Sequence, residues 1–503
     1  MSQLKERIGS ILTLDATAPA IEFDGKWASW GEIERSYRAL DEILDANGLG
    51  PDSRIGLMLR NHACVVPAVL AVLGERCVVT LNPMFQASKL ADDIRATQVP
   101  AVAGIPADLD APEVAAALAQ AGCLVLELTS DADEPVKVRQ NRTSPSAQTD
   151  KASGVAVEML TSGTTGAPKR IAMKRIGFEE SVFAAARFEK GRSADDAPVL
   201  RKGVQLLMAP FSHIGGLLAL MNAVMAGRSS ALLPKFTVEG FRDAVKRHGI
   251  KAASAPPAAL KMVYDANVPK EDLASLKAFR TGTAPLDPDL ADAFYERYGI
   301  PVLQNYGATE FGGVAGWTIA DFEAHRGDRR GAVGRLNPNV QGRVVDPETG
   351  AEVPADQVGI LELKSRQIGD GTQWLRTTDL AKMSEDGFLW ITGRADNVII
   401  RGGFKIQPDD VVRALESHPA VSEASDRHAR RPTGAGAGGR LHRRFRQGSA
   451  GRSGAQGLPQ GKADRLPGAG IDPPRRCLAA HAVAQGRSAR AARIAGKRAG
   501  GLI

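Results

Sequence analysis

Residues 155–173 read VAVEMLTSGTTGAPKRIAM. Val155 to Leu160 has the apolar run of a strand, and Ile171-Ala172-Met173 has the look of a second one. Between them stands Thr161-Ser162-Gly163-Thr164-Thr165-Gly166-Ala167-Pro168-Lys169-Arg170. The glycines let the backbone fold tightly and aim N–H groups inward, three threonines and one serine add hydroxyl donors, and Lys169 supplies positive charge. That is chemistry suited to phosphate oxygens. It differs from the Walker loop, whose lysine sits in GxxxxGK[ST] at the start of a helix. Here Pro168 precedes the lysine and a strand follows it. A plain Gly/Ser/Thr linker would not need the lysine so placed.

Outward from this loop the pattern is layered α/β. Ser29-Trp30-Gly31-Glu32 reads as a capping box opening an amphipathic helix. A strand over Arg54 to Leu59, a helix over Cys64 to Leu73 and a strand over Cys77 to Leu81 follow. Then come a helix over Ala87–Thr97 and a strand over Pro100–Ala103, an alternation that predicts βαβ units. The polar stretch Gln140 to Ser153 reads as a surface linker between lobes. Beyond the loop, helices are expected over Phe178–Phe188 and Val238–His248. Gly342 to Ile391 looks more antiparallel, with turns at Pro347-Glu348-Thr349-Gly350 and Glu385-Asp386-Gly387.

Composition narrows the class further. The chain has 503 residues, enough for one large domain and a smaller one, and 43% hydrophobic residues. No apolar run reaches the length of a membrane helix, so no integral membrane segment is expected. The N-terminus does not read as a signal peptide. Four scattered cysteines, Cys64, Cys77, Cys123 and Cys477, form no CxxC pair and fit a reducing cytoplasm. The basic pI of 9.2 comes from the tail alone. Residues 426–503 hold 17 Lys+Arg against 3 Asp+Glu, whereas the preceding chain holds 47 basic and 54 acidic residues. With no aromatic in the tail beyond Phe445 and no recognisable module, no nucleic-acid partner is expected.

The stretch TSGTTGAPKR resembles the signature loop of the adenylate-forming superfamily, the acyl-CoA synthetases, luciferases and peptide-synthetase adenylation domains. Four further blocks stand in the family's order. Asn305-Tyr306-Gly307-Ala308-Thr309-Glu310 resembles its YGxTE block: an aromatic suited to stacking on adenine, a glycine for close approach, a threonine for the α-phosphate, and a hard oxygen ligand for Mg²⁺. Arg280-Thr281-Gly282-Thr283-Ala284-Pro285-Leu286 resembles the block lining the adenine and acyl pockets, although a Gly/Pro turn before a helix explains it equally well. Thr377-Thr378-Asp379 with Gly393-Arg394 resembles the ribose-holding pair, or is an ordinary ion pair. Pro210-Phe211-Ser212-His213-Ile214-Gly215-Gly216 resembles the block carrying a pocket histidine; the alternative for His213 is a satisfied core residue. Asp396 matches the hinge position. Arg401-Gly402-Gly403-Phe404-Lys405-Ile406 matches the loop that swings in for thioester formation.

The resemblance covers residues from about 25 to 425 and implies an AMP-forming acid–thiol ligase of the fatty-acid or aryl-acid CoA ligase branch. Its cofactors would be ATP, Mg²⁺ and coenzyme A, and its partners a small carboxylic acid and coenzyme A. It implies Lys169, His213, Thr309, Glu310 and Lys405 as catalytic residues. The nucleotide would lie against Thr161–Gly166, Lys169, Gly282, Thr283, Ala284, Asn305–Thr309, Asp379 and Arg394. Glu310 would hold the metal, and His213, Gly312, Gly402 and Gly403 the acyl or CoA groups. Loading of a carrier protein and a non-catalytic nucleotide-binding relic are the alternatives. The expected architecture is α/β: a large layered body with a β-rich subdomain over 1–393, a hinge at 394–396, and the start of a small α+β domain at 397–425.

One departure stands out. Family members carry a lysine near the C-terminus in a loop resembling PRTxxGK, and residues 426–503 hold no such loop. From Asp426 the chain has no Glu, Asn, Tyr, Trp or Met. Its composition suits a disordered basic tail. A one-base frameshift after Ser425 accounts for it better. Permitted codons for Asp426 to Arg440, read one base later, give TGMPDDRLGQEPVAA; those for Lys462 to Gly470 give KLTAYQVPA. Ile471 to Arg487 yields SILPVDALPRTPSHKV, which contains the missing lysine. The small domain is thus expected to be mostly lost.

Overall fold

A computed structural model of the chain describes residues 2–147, 150–161, 169–184, 196–368, 371–395, 399–401, 404–406, 421–429 and 438–445. The chain divides into two units, Met1–Thr392 and Gly393–Ile503.

In the first unit, α1 (Gln3–Leu12), β1 (Pro19–Phe23), β2 (Lys26–Ser29) and α2 (Trp30–Ala46) lead into a βαβ series. That series is β3 (Arg54–Met58), α3 (Val65–Glu75), β4 (Cys77–Leu81), α4 (Ala87–Thr97), β5 (Ala101–Gly104), α5 (Pro106–Leu109), α6 (Pro112–Ala121), β6 (Leu124–Leu128) and β7 (Val136–Gln140). The capping box at α2 is formed: Ser29 Oγ accepts from Glu32 N at 3.2 Å, and Glu32 Oε2 accepts from Ser29 N at 2.7 Å. Helix α3 is apolar on every side and buried from Val65 to Gly74, as a helix wedged between layers must be. Strand β4, CVVTL, is buried at all five positions because parallel strands flank it on both sides.

β8 (Val155–Thr161) and β9 (Lys169–Lys174) complete a seven-stranded sheet of order β7-β6-β5-β3-β4-β8-β9. Its two edge strands, β7 and β9, run antiparallel to a parallel centre. The stretch Gln140 to Ser153 therefore joins two strands of one sheet and is not a linker between lobes. Buried Asp150 ties part of it down, accepting from Arg142 Nη2 at 2.5 Å, Ser146 Oγ at 3.1 Å and Ala147 N at 3.1 Å.

Next come α7 (Arg175–Ala184), β10 (Arg201–Leu207), α8 (Ile214–Met225), β11 (Arg228–Leu232), α9 (Val238–His248), β12 (Ala252–Ser254), α10 (Pro257–Asp265), β13 (Ala278–Thr281), α11 (Pro288–Tyr298) and β14 (Val302–Ala308). Helix α7 starts three residues before the expected Phe178, directly off β9. Arg175 fixes that start by donating to Leu73 O at 2.8 Å and Arg76 O at 2.7 Å. The order β10-β11-β1-β2 makes a small sheet. A chain of rings, Phe241–Phe279–Phe294–Tyr298, with successive centroids 6.0, 5.7 and 4.7 Å apart, packs α9 and α11 on β13.

The unit's last elements are β15 (Gly312–Gly316), α12 (Ile319–His325), β16 (Gly334–Leu336), β17 (Gln341–Val345), β18 (Gly359–Lys364), β19 (Leu375–Met383) and β20 (Phe388–Arg394), whose final two residues already belong to the second unit. These strands extend the parallel trio β12-β13-β14 into a nine-stranded sheet of order β12-β13-β14-β15-β16-β20-β19-β18-β17. The pairs β14–β15, β15–β16, β16–β20, β17–β18 and β18–β19 are antiparallel. The β-rich region anticipated between Gly342 and Ile391 is this half of the sheet.

In the second unit β21 (Ile399–Arg401) pairs with β22 (Phe404–Ile406), and β23 (Val421–Ala429) pairs with β24 (Gly438–Phe445). The β23–β24 ladder runs across Ser425 and Asp426, so these parts of the tail are strands, contrary to an expectation of disorder from Asp426 onward. Main-chain hydrogen bonding does not need the side-chain periodicity whose loss motivated that expectation.

Candidate functional site

The phosphate-type loop is the connection of a β-hairpin. β8 and β9 pair antiparallel, with Leu160 opposite Arg170 and Thr161 opposite Lys169. Ser162, Gly163, Thr164, Thr165 and Gly166 lie outside the described residues, while Lys169 is exposed at the first position of β9. The hairpin root is pinned by charges that sequence reasoning passed over. Arg170 donates to Thr80 O at 3.2 Å, Glu158 O at 3.1 Å and Asp93 Oδ1 at 2.7 Å. Arg54 grips Glu158 through two parallel bonds of 2.8 and 2.7 Å, and that carboxylate raises the arginine's pKa. The only sequence signal for any of these was Arg170 next to Lys169.

Two further blocks meet at the ends of β13 and β14. A Cβ on Gly282 would stand 1.9 Å from Asn305 Oδ1, so the two segments approach as only glycine allows. Thr283 follows at φ +68, a left-handed conformation that costs a β-branched residue about 1–2 kcal/mol. Ala284 is exposed beside it. Along β14, a Cβ on Gly307 would lie 2.3 Å from Gly312 O and 2.8 Å from Gly313 Cα. The β14–β15 register shifts between Tyr306 and Gly307, the kind of bulge that re-aims a strand end. Ala308 pairs with Gly312, and half-buried Thr309 and exposed Glu310 form the turn between these strands.

Tyr306 and Asp379 are brought together: the phenol Oη donates to Asp379 Oδ2. Phe311 tilts against the Tyr306 ring at 5.7 Å. The Asp379 backbone N–H donates to Thr377 Oγ1 at 3.1 Å, which in turn donates to Leu361 O at 2.8 Å. An aromatic face and a carboxylate are thereby held in one fixed relation, as an adenosine site needs.

Helix α7 carries the hairpin side of the site to the β14–β15 turn. A Cβ on Gly177 would stand 2.4 Å from Gln367 O, and one on Gly312 (φ +67) 3.3 Å from Ser181 Oγ. Gln367 Nε2 closes the junction, donating to Phe311 O at 2.9 Å and Gly313 O at 3.0 Å. Neither Gln367 nor Ser181 belongs to a recognisable motif, so no sequence signal could have found them.

His213 caps the N-terminus of α8 with extended backbone and an exposed ring. It is therefore not a buried core histidine. Its loop is held by Asn61, which accepts from Phe211 N at 2.9 Å and donates to Ala209 O and Leu233 O at 3.1 Å each. A Cβ on Gly216 would stand 2.1 Å from Pro210 O, which accounts for that glycine.

Arg394 is the last residue of β20, and Lys405 is the middle residue of β22. Asp396, Gly402 and Gly403 lie outside the described residues. Among the described residues no three His, Cys, Asp or Glu side chains converge as a metal cage. The exposed Glu310 in the β14–β15 turn instead fits Mg²⁺, which is commonly held by one or two carboxylates together with substrate phosphates. The thiols of Cys64, Cys77 and Cys123 are pushed up to about 12, 12 and 11 by burial, so none is a poised nucleophile. No helix among the described residues is long and apolar enough to cross a membrane.

A layered α/β body with a Gly/Ser/Thr hairpin loop, a glycine-lined strand junction and a Tyr–Asp pair defines the class of adenylate-forming enzymes. The AMP-binding enzyme family matches residues 13–371, and the chain belongs to it. It is 30% identical over 63% of its length to 4-coumarate–CoA ligase-like 5 of Oryza sativa subsp. japonica, spanning only 58% of that relative. It is 26% identical to peroxisomal OPC-8:0-CoA ligase 1 of Arabidopsis thaliana, over 83% of this chain and 78% of the other. In fold it is similar to ATP-bound MatB from Rhodopseudomonas palustris, with TM-score 0.69 and 24% identity over 84% of this chain and 85% of that one.

Proposed function

We propose that the chain is built to activate a carboxylic acid with ATP and to pass the acyl group to coenzyme A. The observation that carries this reading is the junction where Gly282 and Gly307 leave room no other residue would leave, next to the Tyr306–Asp379 pair. The adenine would lie against Tyr306, with the Gly282–Ala284 turn and Asn305 at its edge. The ribose hydroxyls would bond Asp379, with Arg394 contributing a donor.

In the first step a carboxylate oxygen attacks the α-phosphorus. The bond to the bridging oxygen breaks, and pyrophosphate leaves with the electron pair. Bringing two anions together requires positive charge and preorganised donors. Lys169 with the Thr161–Gly166 loop would hold the departing pyrophosphate, and Thr309 would bond the α-phosphate. Glu310 would hold Mg²⁺, which when bound supplies neutralising charge to the phosphates. In the second step the thiol sulfur of coenzyme A attacks the acyl carbonyl, its proton goes to solvent, and AMP leaves with the electron pair of the broken acyl–oxygen bond. His213 and Gly312 would line the acyl side, and Gly402, Gly403 and Lys405 would serve the thioester step after rotation about Asp396.

A second reading, a nucleotide-binding chain with little turnover, is favoured by the absence of a PRTxxGK-like loop from residues 426–503. ATP–pyrophosphate exchange over a panel of fatty and aryl acids separates the two. Acid-dependent exchange that Lys169→Ala abolishes supports the ligase reading. ATP binding with no exchange for any acid supports the second.

A further inference from the structure

Arg280 is the one charged member of the Arg280–Leu286 block, and the nucleotide reading leaves it unused. It sits on β13, where the pattern alternates: Phe279 and Thr281 are 0% and 1% exposed, and Arg280 between them is open to solvent. Its guanidinium has no hydrogen bond or ion pair among the described residues, in a unit where nearly every other partly buried arginine has an acid or a carbonyl. The side chain is nonetheless crowded enough that desolvation lowers its pKa, with no acid to offset it. Arg280 is thus a solvent-reached cation with no counter-charge among the described residues.

The place of this cation follows from register. Arg280 pairs with Ser254 on one side and Leu303 on the other, at the carboxyl ends of three parallel strands, where open α/β sheets bind ligands. Gly282 follows two residues on and turns its open side to the Asn305 amide. By strand alternation Arg280 and Gly282 share a face, about 7 Å apart along the chain. The exposed side chains of Ser254 and Asn305 lie on the same rows. An apolar acyl tail would leave this charge unpaired and desolvated, which is unfavourable.

We propose that Arg280 is a specificity determinant that receives a second anionic group on the acid substrate, so that the preferred substrates are dicarboxylic acids rather than simple fatty acids. This rests on the ligase reading. The distal carboxylate would take two of the guanidinium donors, with Ser254 as a further donor, while the other carboxylate faces the nucleotide.

The test is calorimetric titration of the full chain, with AMP present, using succinate, adipate, suberate and sebacate, each against its monomethyl ester. The expected result is a preference of roughly tenfold for at least one diacid over its ester. That preference should collapse toward one in both Arg280→Met and Arg280→Gln and be partly kept in Arg280→Lys, with ester binding unchanged. No preference in the parent chain, or one that persists in Arg280→Met and Arg280→Gln, overturns the proposal. If both variants lose ATP binding, titrated separately, the arginine is structural and the proposal likewise fails. Absence of ATP binding in the parent chain would instead sink the ligase reading itself, whereas ATP binding without diacid preference sinks only the role of Arg280.

Discussion

Three glycines of one strand junction give a graded test of the site. An alanine Cβ at Gly307 would be placed 2.3 Å from Gly312 O and 2.8 Å from Gly313 Cα, both backbone atoms of the paired strand β15. Reaching ordinary contact requires that strand to move by about 1 Å, and overpacking of this kind costs about 1–3 kcal/mol. The displaced segment leads directly into Thr309 and Glu310. A shift of that size at a reacting centre is worth about a hundredfold in rate. At Gly282 the clash is closer, 1.9 Å, but with Asn305 Oδ1, the end of a side chain that can turn away. At Gly313 nothing lies within 4 Å. The expected order of damage is Gly307→Ala, then Gly282→Ala, with Gly313→Ala near the parent. The assay is thermal unfolding together with calorimetric ATP affinity. Gly307→Ala should lower Tm by about 2–5 °C and weaken ATP binding at least tenfold. If Gly307→Ala and Gly313→Ala behave alike in both measurements, the close strand approach does not shape the site.

Other expectations follow from particular side chains. Asp379→Asn keeps an acceptor for Tyr306 but loses the charge, and should weaken ATP binding by about 1.5–3 kcal/mol, read by titration against GTP as a control for base recognition. Thr283→Gly relieves the left-handed strain and should raise stability in urea by about 1 kcal/mol while weakening nucleotide binding; a loss of stability would contradict the strain assignment. The thiols of Cys64, Cys77 and Cys123 have folded pKa values raised above the unfolded value of about 8.5. Their contribution is therefore complete below pH 8.5 and lost as pH rises toward the folded values. Urea midpoints should fall between pH 9 and 11, and Cys→Ser variants should flatten that fall. Finally, resequencing the gene from codon 415 onward should reveal a one-base shift that restores PRTPSHKV, and the repaired chain should exchange pyrophosphate faster; an intact frame without those codons removes the frameshift explanation.

The sequence displayed the alternation that builds the first sheet because each of its elements is locally consistent. The capping box at Ser29, the all-apolar α3 and the buried β4 can each be read without knowledge of the rest. Motif residues were legible where chemistry and spacing coincide, as in the Thr161–Lys169 loop and the Asn305–Glu310 block. What sequence could not display were contacts made across long separations. Gln367 reaches the β14–β15 turn, Asn61 holds the His213 loop, and Arg54 pairs with Glu158, each through one side chain in an unremarkable setting. The stretch Gln140 to Ser153 was misread because polarity marks a surface loop but does not tell which strands it joins.

The nine-stranded sheet gives the site its geometry without relying on loops. Gly282 follows β13, Tyr306 is in β14 and Asp379 is in β19, so the groups proposed to meet adenine and ribose are positions on a single hydrogen-bonded lattice. Such a lattice behaves as a ruler with a two-residue graduation: a one-residue slip anywhere between β14 and β19 would turn Asp379 to the opposite face. Length changes should therefore be tolerated at the Pro347–Gly350 and Glu385–Gly387 turns, which lie off the ruler. Single-residue insertions within β15 or β16 should abolish nucleotide binding even though neither strand touches the nucleotide in the proposed arrangement.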